Sequence, residues 1–277
     1  NKRPSSDFPT VSSKESLIVS QFLADLRAKN PLVHCITNYV AMNISANVVL
    51  AAGASPAMIH TPEETADFAK IVGALTVNIG TLSPSWVKGM KLAAEAANEA
   101  AVPWVFDPVA HFATPYRAQA AQELLALNPT ILRGNASEIM GLGGQASEAK
   151  GVDATDPVEA AEAGAMMLAK KYGSVVVITG ETDFVTDGSR VARVSGGSEI
   201  MPMITALGCS LTCLMGGFAA VAPPMEAAAT ALALFAEAGV QAEKKATGPG
   251  SFQPHFLDAL HNTTPETLEK AGRITWQ

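Results

Sequence analysis

Cys209 closes the run Thr205-Ala206-Leu207-Gly208-Cys209, a loop of mostly small residues that opens directly into an apolar helical pattern. Backbone N–H groups at a helix start point outward with the positive end of the helix dipole, and together they make an anion pocket. A thiol held there has a lowered pKa and is a candidate base or nucleophile. The competing reading is a small buried hydrophobe, the usual fate of a free cysteine. Cys213, one turn later, and Cys35, inside an apolar run, read as core.

A second constellation is Asn135-Ala136-Ser137-Glu138, directly after Arg133-Gly134. A carboxylate at a helix start, three residues after an amide, can hold a hydrated Mg²⁺ through oxygen ligands. The same pattern is also an ordinary helix cap, which is the commoner use. Asp107, before Pro108 at the end of an apolar run, is either a second acid for the same ion or a turn residue. Gly248-Pro249-Gly250-Ser251-Phe252 is by itself a turn and N-cap signal. No GxxxxGK[ST] occurs, which excludes a P-loop, and no GxGxxG supports a dinucleotide fold. The five histidines, His34, His60, His111, His255 and His261, show no HExxH or paired spacing, and each reads as an isolated polar residue.

The elements that must position these groups alternate along the chain. Ser16 to Lys29 carries Val19, Phe22, Leu23 and Leu26 at the spacing of an amphipathic helix. A short buried strand, Leu32 to Ile36, precedes a helix from Tyr39 to Ala52 that ends at Gly53. Leu75 to Ile79, Pro103 to Phe106, Thr130 to Leu132 and Val175 to Ile178 read as further strands. Helices from Trp86 to Ala101, Ala118 to Leu127 and Pro157 to Lys171 separate them. Phe184 to Thr186 and Val191 to Val194 flank a turn containing Asp187-Gly188, the pattern of a hairpin. Helices from about Cys209 to Ala220, Met225 to Lys244 and Pro254 to His261 complete the expectation.

Uniformly apolar strands separated by helices imply a parallel sheet covered on both faces, an α/β fold. No composition break or repeat divides the chain, so one domain over 16–277 is expected behind a polar N-terminal tail, 1–15. The tail lacks the apolar core of a signal peptide and reads as disordered, and a chain that opens on Asn1 reads as trimmed upstream. Ligands in such sheets sit outside the carboxyl ends of the strands. Those ends carry Thr37-Asn38, Gly80-Thr81, Asp107, Arg133-Gly134-Asn135 and Thr179-Gly180.

Composition narrows the class. The 277 residues hold 19 Lys+Arg against 26 Asp+Glu, a net charge of −7, and charged residues are 16% of the chain. That is well below the roughly 25% of an average soluble domain, while the apolar share of 48% is ordinary. The acidic balance argues against nucleic-acid and anionic-membrane partners. Three cysteines without CxxC spacing argue against a secreted disulfide framework and for a reducing cytoplasm. Ile200 to Met225 contains no charge and exceeds the roughly 20 residues of a bilayer span. Its prolines and glycines, and Glu199 and Glu226 at its flanks, instead favour a final strand, the anion loop and a buried helix.

Ordered blocks over about Asn30 to Leu260 resemble one family, the hydroxyethylthiazole kinases of the ribokinase-like superfamily. They are Asn30-Pro-Leu-Val-His-Cys-Ile-Thr-Asn38, Gly53-Ala-Ser-Pro-Ala-Met58, Asn78-Ile-Gly-Thr-Leu82 and Asp107-Pro-Val109, followed by Arg133-Gly-Asn-Ala-Ser-Glu-Ile139, Thr179-Gly-Glu181, Gly208-Cys209 and Gly248-Pro-Gly-Ser-Phe252. The resemblance implies transfer of phosphate from ATP, with Mg²⁺, to the primary alcohol of 4-methyl-5-(2-hydroxyethyl)thiazole in thiamin salvage. It implies Cys209 in place of the superfamily's aspartate base, with Asp107 and Glu138 near the metal. It further implies Arg133 and Thr179 on ATP, and Met58, with Asn38 as a neighbour, on the thiazole. A homotrimer with sites between subunits is also implied, so that Met58 serves a neighbouring chain. A dehydratase on the same scaffold, acting on hydrated NAD(P)H, would be expected to carry aspartate at the Cys209 position. A weakly catalytic thiazole-binding protein is hard to reconcile with Asp107, Glu138, Arg133 and Cys209 together.

Two blocks depart from the family pattern. Ala206 stands where the family loop has glycine, in contact range of the expected substrate. A negative φ there would tolerate alanine, whereas a positive φ implies strain of roughly 1 kcal/mol or more. Ala110-His111-Phe112 replaces a small, Gly-containing loop beside the expected metal.

Overall fold

The computed structural model describes residues 13–144 and 157–277. Residues 1–12 of the expected tail lie outside them, and the first helix, α1 (Ser13–Lys29), begins three residues before the expected start. Among the described residues the sheet has nine strands. Across it, β2 (Ser55–Ala57) at one edge neighbours β1 (Leu32–Ile36), then β3 (Ala74–Asn78), β4 (Trp104–Asp107), β5 (Ile131–Asn135) and β6 (Val175–Thr179), all parallel. Three antiparallel strands follow: β7 (Thr182–Thr186), β8 (Val191–Ser195) and β9 (Ile274–Trp276). β2 tolerates Pro56 because an edge strand has one side without a ladder partner.

The parallel strands are apolar throughout because each has two faces to bury. Along β6, Val175 and Val177 point into one core, and Val176 and Ile178 into the other. The first core lies under α1, α2 (Met42–Ala52), α8 (Leu207–Ala219), α9 (Pro224–Glu243), α10 (Pro249–Asn262) and α11 (Pro265–Ala271). The second lies under α3 (Thr65–Ala69), α4 (Pro84–Glu99), α5 (Pro115–Leu125), α6 (Ala136–Gly144) and α7 (Pro157–Tyr172). In α7 the buried Ala161, Ala165, Leu168 and Ala169 recur at helical spacing, and the small alanines let the helix approach the sheet closely.

Two expectations need correction. Ile200 to Ile204 is not the final strand: Met201–Met203 forms a single 3₁₀ turn, and the last strand is β9. Pro202 has no N–H to give a ladder, and β9 already occupies the free edge of β8. The helix expected at Pro254 starts at Pro249, because Gly248 to Phe252 closes its first turn with Phe252 N–H donating to Gly248 O at 3.0 Å. No helix among the described residues is long and apolar enough to cross a membrane, in line with the reading of Ile200 to Met225.

Candidate active site

The carboxyl ends of β1, β3, β4, β5 and β6 meet the N-terminus of α8, and one hydrogen-bonded line runs through that junction. Asp107, the last residue of β4, is completely buried. Its Oδ2 accepts from Asn78 Nδ2 at 2.9 Å, Thr212 Oγ1 at 2.8 Å and Arg133 Nη1 at 3.2 Å. Asn78 Oδ1 accepts from Asn38 Nδ2 at 2.9 Å, and the same Nδ2 lies 3.4 Å from Cys209 Sγ. Acid and thiol are thus joined through two amides. The parallel register makes this possible: Asn78 is paired with Asp107, so two adjacent strand ends aim their side chains at one point. Gly80 must be glycine for the same reason, since a Cβ there would sit 2.4 Å from Asn38 Nδ2.

Burial decides the charge state of these groups. It raises the pKa of Asp107 against the opposing pull of Arg133, and the nearby Glu138 raises it further. Cys209 is pushed up to about 11, first by burial and then by the Asp107 carboxylate, while Asn78 and Asn38 oppose the shift. The expected lowering of the thiol pKa at the helix start is therefore reversed. Desolvation and a like charge outweigh the donors.

Glu138 and Asn135 form a reciprocal cap. Asn135 N–H donates to Glu138 Oε2 at 2.8 Å, and Glu138 N–H to Asn135 Oδ1 at 2.9 Å. The second oxygen, Oε1, accepts from Ala110 N–H at 2.9 Å, and the buried His111 ring reaches Glu138 O from Nε2 at 2.9 Å. The bulkier Ala110-His111-Phe112 loop is thus anchored on Glu138, with Phe112 exposed.

Beside this junction opens a cleft of about 800 Å³, lined at its inner end by Arg133, Thr179 and Gly208. Arg133 Nη2 donates to Thr179 Oγ1 at 2.9 Å, and the Gly208 backbone lies so close to the guanidinium that a Cβ would be 3.0 Å from Nη2. Leu211, Leu232, Phe235 and Ala236 make an apolar wall, suited to a flat ring. Glu181, Asp183, Glu199 and Glu243 also line the cleft, and Arg133 is the one cationic side chain among the described lining residues. Asp183 accepts from Gly180 N–H at 3.0 Å, and burial lifts its pKa to about 6.

The structure brings Cys209, Asp107, Arg133, Thr179, Glu138 and Asn38 to one place. Ala206 is the N-cap of α8, with φ 60° and ψ 11°, which is the strained branch of the sequence expectation. Met58 stands apart, half-buried just past β2 and packed against the core under α2 and α8. Asn78 and Thr212 carry no role in the sequence reading. Thr212 lies three residues after Cys209 on one helix face, a spacing that marks it as a neighbour of the thiol. Cys35 and Cys213 are core, as expected.

The fold is that of the ribokinase-like α/β proteins. A ribokinase-like superfamily protein from Enterococcus faecalis superposes with a TM-score of 0.63 at 12% identity, covering 93% of this chain and 100% of that one. The model of the "HK: Hydroxyethylthiazole kinase family" matches residues 23–266, so the chain belongs to the hydroxyethylthiazole kinase family. A protein of Gemmatimonas aurantiaca named hydroxyethylthiazole kinase is 61% identical over 254 residues, 92% of each chain. The solved structure of a hydroxyethylthiazole kinase from Pyrococcus horikoshii gives a TM-score of 0.84 at 35% identity, over 94% of this chain and 98% of that one.

Proposed function

We propose that this protein transfers the γ-phosphate of ATP to the primary alcohol of 4-methyl-5-(2-hydroxyethyl)thiazole. The observation that carries the reading is the line Asp107–Asn78–Asn38–Cys209 ending beside a nucleotide-sized cleft that Arg133 and Gly208 line. The adenine ring fits against Leu211, Leu232, Phe235 and Ala236, and the phosphates run inward to Arg133, Thr179 and the amides that open α8. The oxygen of the alcohol forms a bond to the γ-phosphorus as the bond to the β-phosphate oxygen breaks, and ADP leaves. In a loose transition state, charge neutralisation and alignment dominate. Arg133 and the backbone N–H groups near Gly208 and Cys209 supply them.

The residues fit Mg²⁺. Asp107 Oδ1 is buried without a partner, and a cleft with four carboxylates needs countercharge before it admits a triphosphate. Asp107 would hold the ion directly, and Glu138, whose two oxygens already serve backbone amides, through a water. When bound, the ion neutralises the phosphate oxygens and holds them in line.

Cys209 orients the alcohol and takes its proton late. With a pKa near 11 it rests as the thiol, so it must lose its own proton first. Hence kcat should rise with pH between about 7 and 10, approaching tenfold per unit. Cys209→Ala should lower kcat by about 10²-fold or more, flatten that profile and leave the KM for ATP unchanged. The measurement is ADP release that depends on Mg²⁺ and thiazole. A variant with undiminished kcat sinks the assignment, and lack of turnover with thiazole, hydroxymethylpyrimidine and pyridoxine alike sinks the kinase reading.

The assembly we infer is a homotrimer. The side chains of Tyr39 and Val40, beside Asn38, are 67% and 57% exposed and would be covered by a neighbouring subunit carrying its own Met58 toward the site. Light scattering on the purified protein decides the mass. A cytoplasmic location is inferred from three cysteines that are all free.

A further inference from the structure

Arg117 makes contacts that helix formation does not explain. It is the third residue of α5, where the positive end of the helix dipole disfavours a cation. Its side chain turns instead to the sheet. Nη2 donates to Ile79 O at 2.7 Å and also to Val109 O, Nη1 donates to Gly80 O at 3.2 Å, and Nε donates to Ala110 O at 3.0 Å. One guanidinium therefore satisfies four backbone carbonyls on two loops. These are the loops that leave β3 and β4 immediately after Asn78 and Asp107. Beyond that pair the ladder gives out, with Ile79 N–H to Asp107 O already stretched to 3.3 Å. Arg117 continues the cross-link where the strands part.

We infer that Arg117 is the positioning residue of the phosphotransfer site: it holds the β3 and β4 ends together so that Asn78, Asp107 and Glu138 keep their geometry. The path to Asp107 is the Asn78 Nδ2 bond, which requires the two strand ends to stay adjacent. The path to Glu138 is Ala110. This residue has φ 48°, unfavourable for alanine, yet it gives its N–H to Glu138 Oε1 while Arg117 holds its carbonyl. A planar five-donor fork suits four carbonyls, whereas a lysine offers a single point charge.

This inference rests on the phosphotransfer reading above, and its test separates the two. Full-length Arg117→Met and Arg117→Lys are compared with the parent protein by steady-state kinetics and by amide hydrogen exchange followed by mass spectrometry. The expected result is a kcat lower by about 10- to 100-fold, with the KM for ATP within about threefold. Exchange should quicken in peptides covering residues 78–82 and 107–113, while β7 and β8 keep their protection. Lysine should recover only a small part of the loss. For Arg117→Ala, millimolar guanidinium should restore part of the turnover.

Arg117→Met with the parent's kcat and the parent's exchange in both loops overturns the inference. So does exchange that quickens evenly over the whole chain, since that marks general destabilisation. If the parent turns over none of the alcohols, the functional reading fails, and the exchange measurement alone still decides whether Arg117 holds the two loops.

Discussion

At Cys209 the helix N-terminus and two amides favour the thiolate, while burial and the Asp107 carboxylate favour the thiol, and the second pair wins. Alkylation by iodoacetamide should accordingly be slow at pH 7.5 and rise about tenfold per pH unit to near 11. A plateau below pH 9 would show a thiol activated in the resting protein. Ala206 presents the other tension at this scale. Its left-handed backbone costs alanine about 1–2 kcal/mol, part of which glycine would return through its freer unfolded chain. Ala206→Gly should therefore stabilise by roughly 0.5–1 kcal/mol, a melting temperature higher by about 1–4 °C. Calorimetry reads this directly. Residue type at strand and helix ends raised Cys209, Asp107 and Glu138 as candidates, each beside a plainer reading, and the resemblance to the kinase family added Arg133 and chose among them. The direction of the thiol's pKa was not legible, because it depends on burial and then on Asp107, far away along the chain.

The element that delivers the thiol is α8, and it can pack close because of its glycines. A Cβ on Gly216 would lie 2.4 Å from Thr76 Cγ2 and 3.1 Å from Val33 Cγ1, both on sheet strands. Among the described residues, Gly164 in α7 has no neighbour within 4 Å of such a Cβ. Helix propensity favours alanine at both by up to about 1 kcal/mol. At Gly216 the clash reverses this, and Gly216→Ala should destabilise by about 1–2 kcal/mol and lower kcat as Cys209 shifts. Gly164→Ala should stabilise. Denaturant melts of the pair test the contrast. Element type was readable wherever apolar periodicity ran long, as in α7, α9 and β6. It failed at Ile200 to Ile204, where β9, arriving from the far end of the chain, had taken the edge of β8.

For the whole molecule, the shortage of charge has a structural cause. A sheet buried on both faces leaves its parallel strands no wet side, and the charged side chains on those strands are Asp107 and Arg133, at the carboxyl end where the site lies. On the proposed reading, the acidic cleft should make nucleotide binding depend on a cation. ATP with Mg²⁺ at about 100-fold over its Kd should stabilise the fold by roughly 2.7 kcal/mol, raising the melting temperature by about 5–10 °C. Most of that shift should vanish with EDTA, and thermal melts with and without the chelator check it.

Sequence by itself determined the α/β class and marked the strand ends as the place for chemistry, with candidate residues along them. The first two follow from local rules of burial period and chain order, whereas the choice of candidates leaned on the resemblance to the kinase family. The tertiary structure alone decided that Asn78 and Thr212 join the site and that two amides link the acid to the thiol. It also decided that the second oxygen of Glu138 takes the Ala110 amide, that Ala206 is left-handed, and that Arg117 bridges two loops. Each of those facts depends on register, burial or an approach between segments distant in the chain, and none of these leaves a mark in the residues nearby.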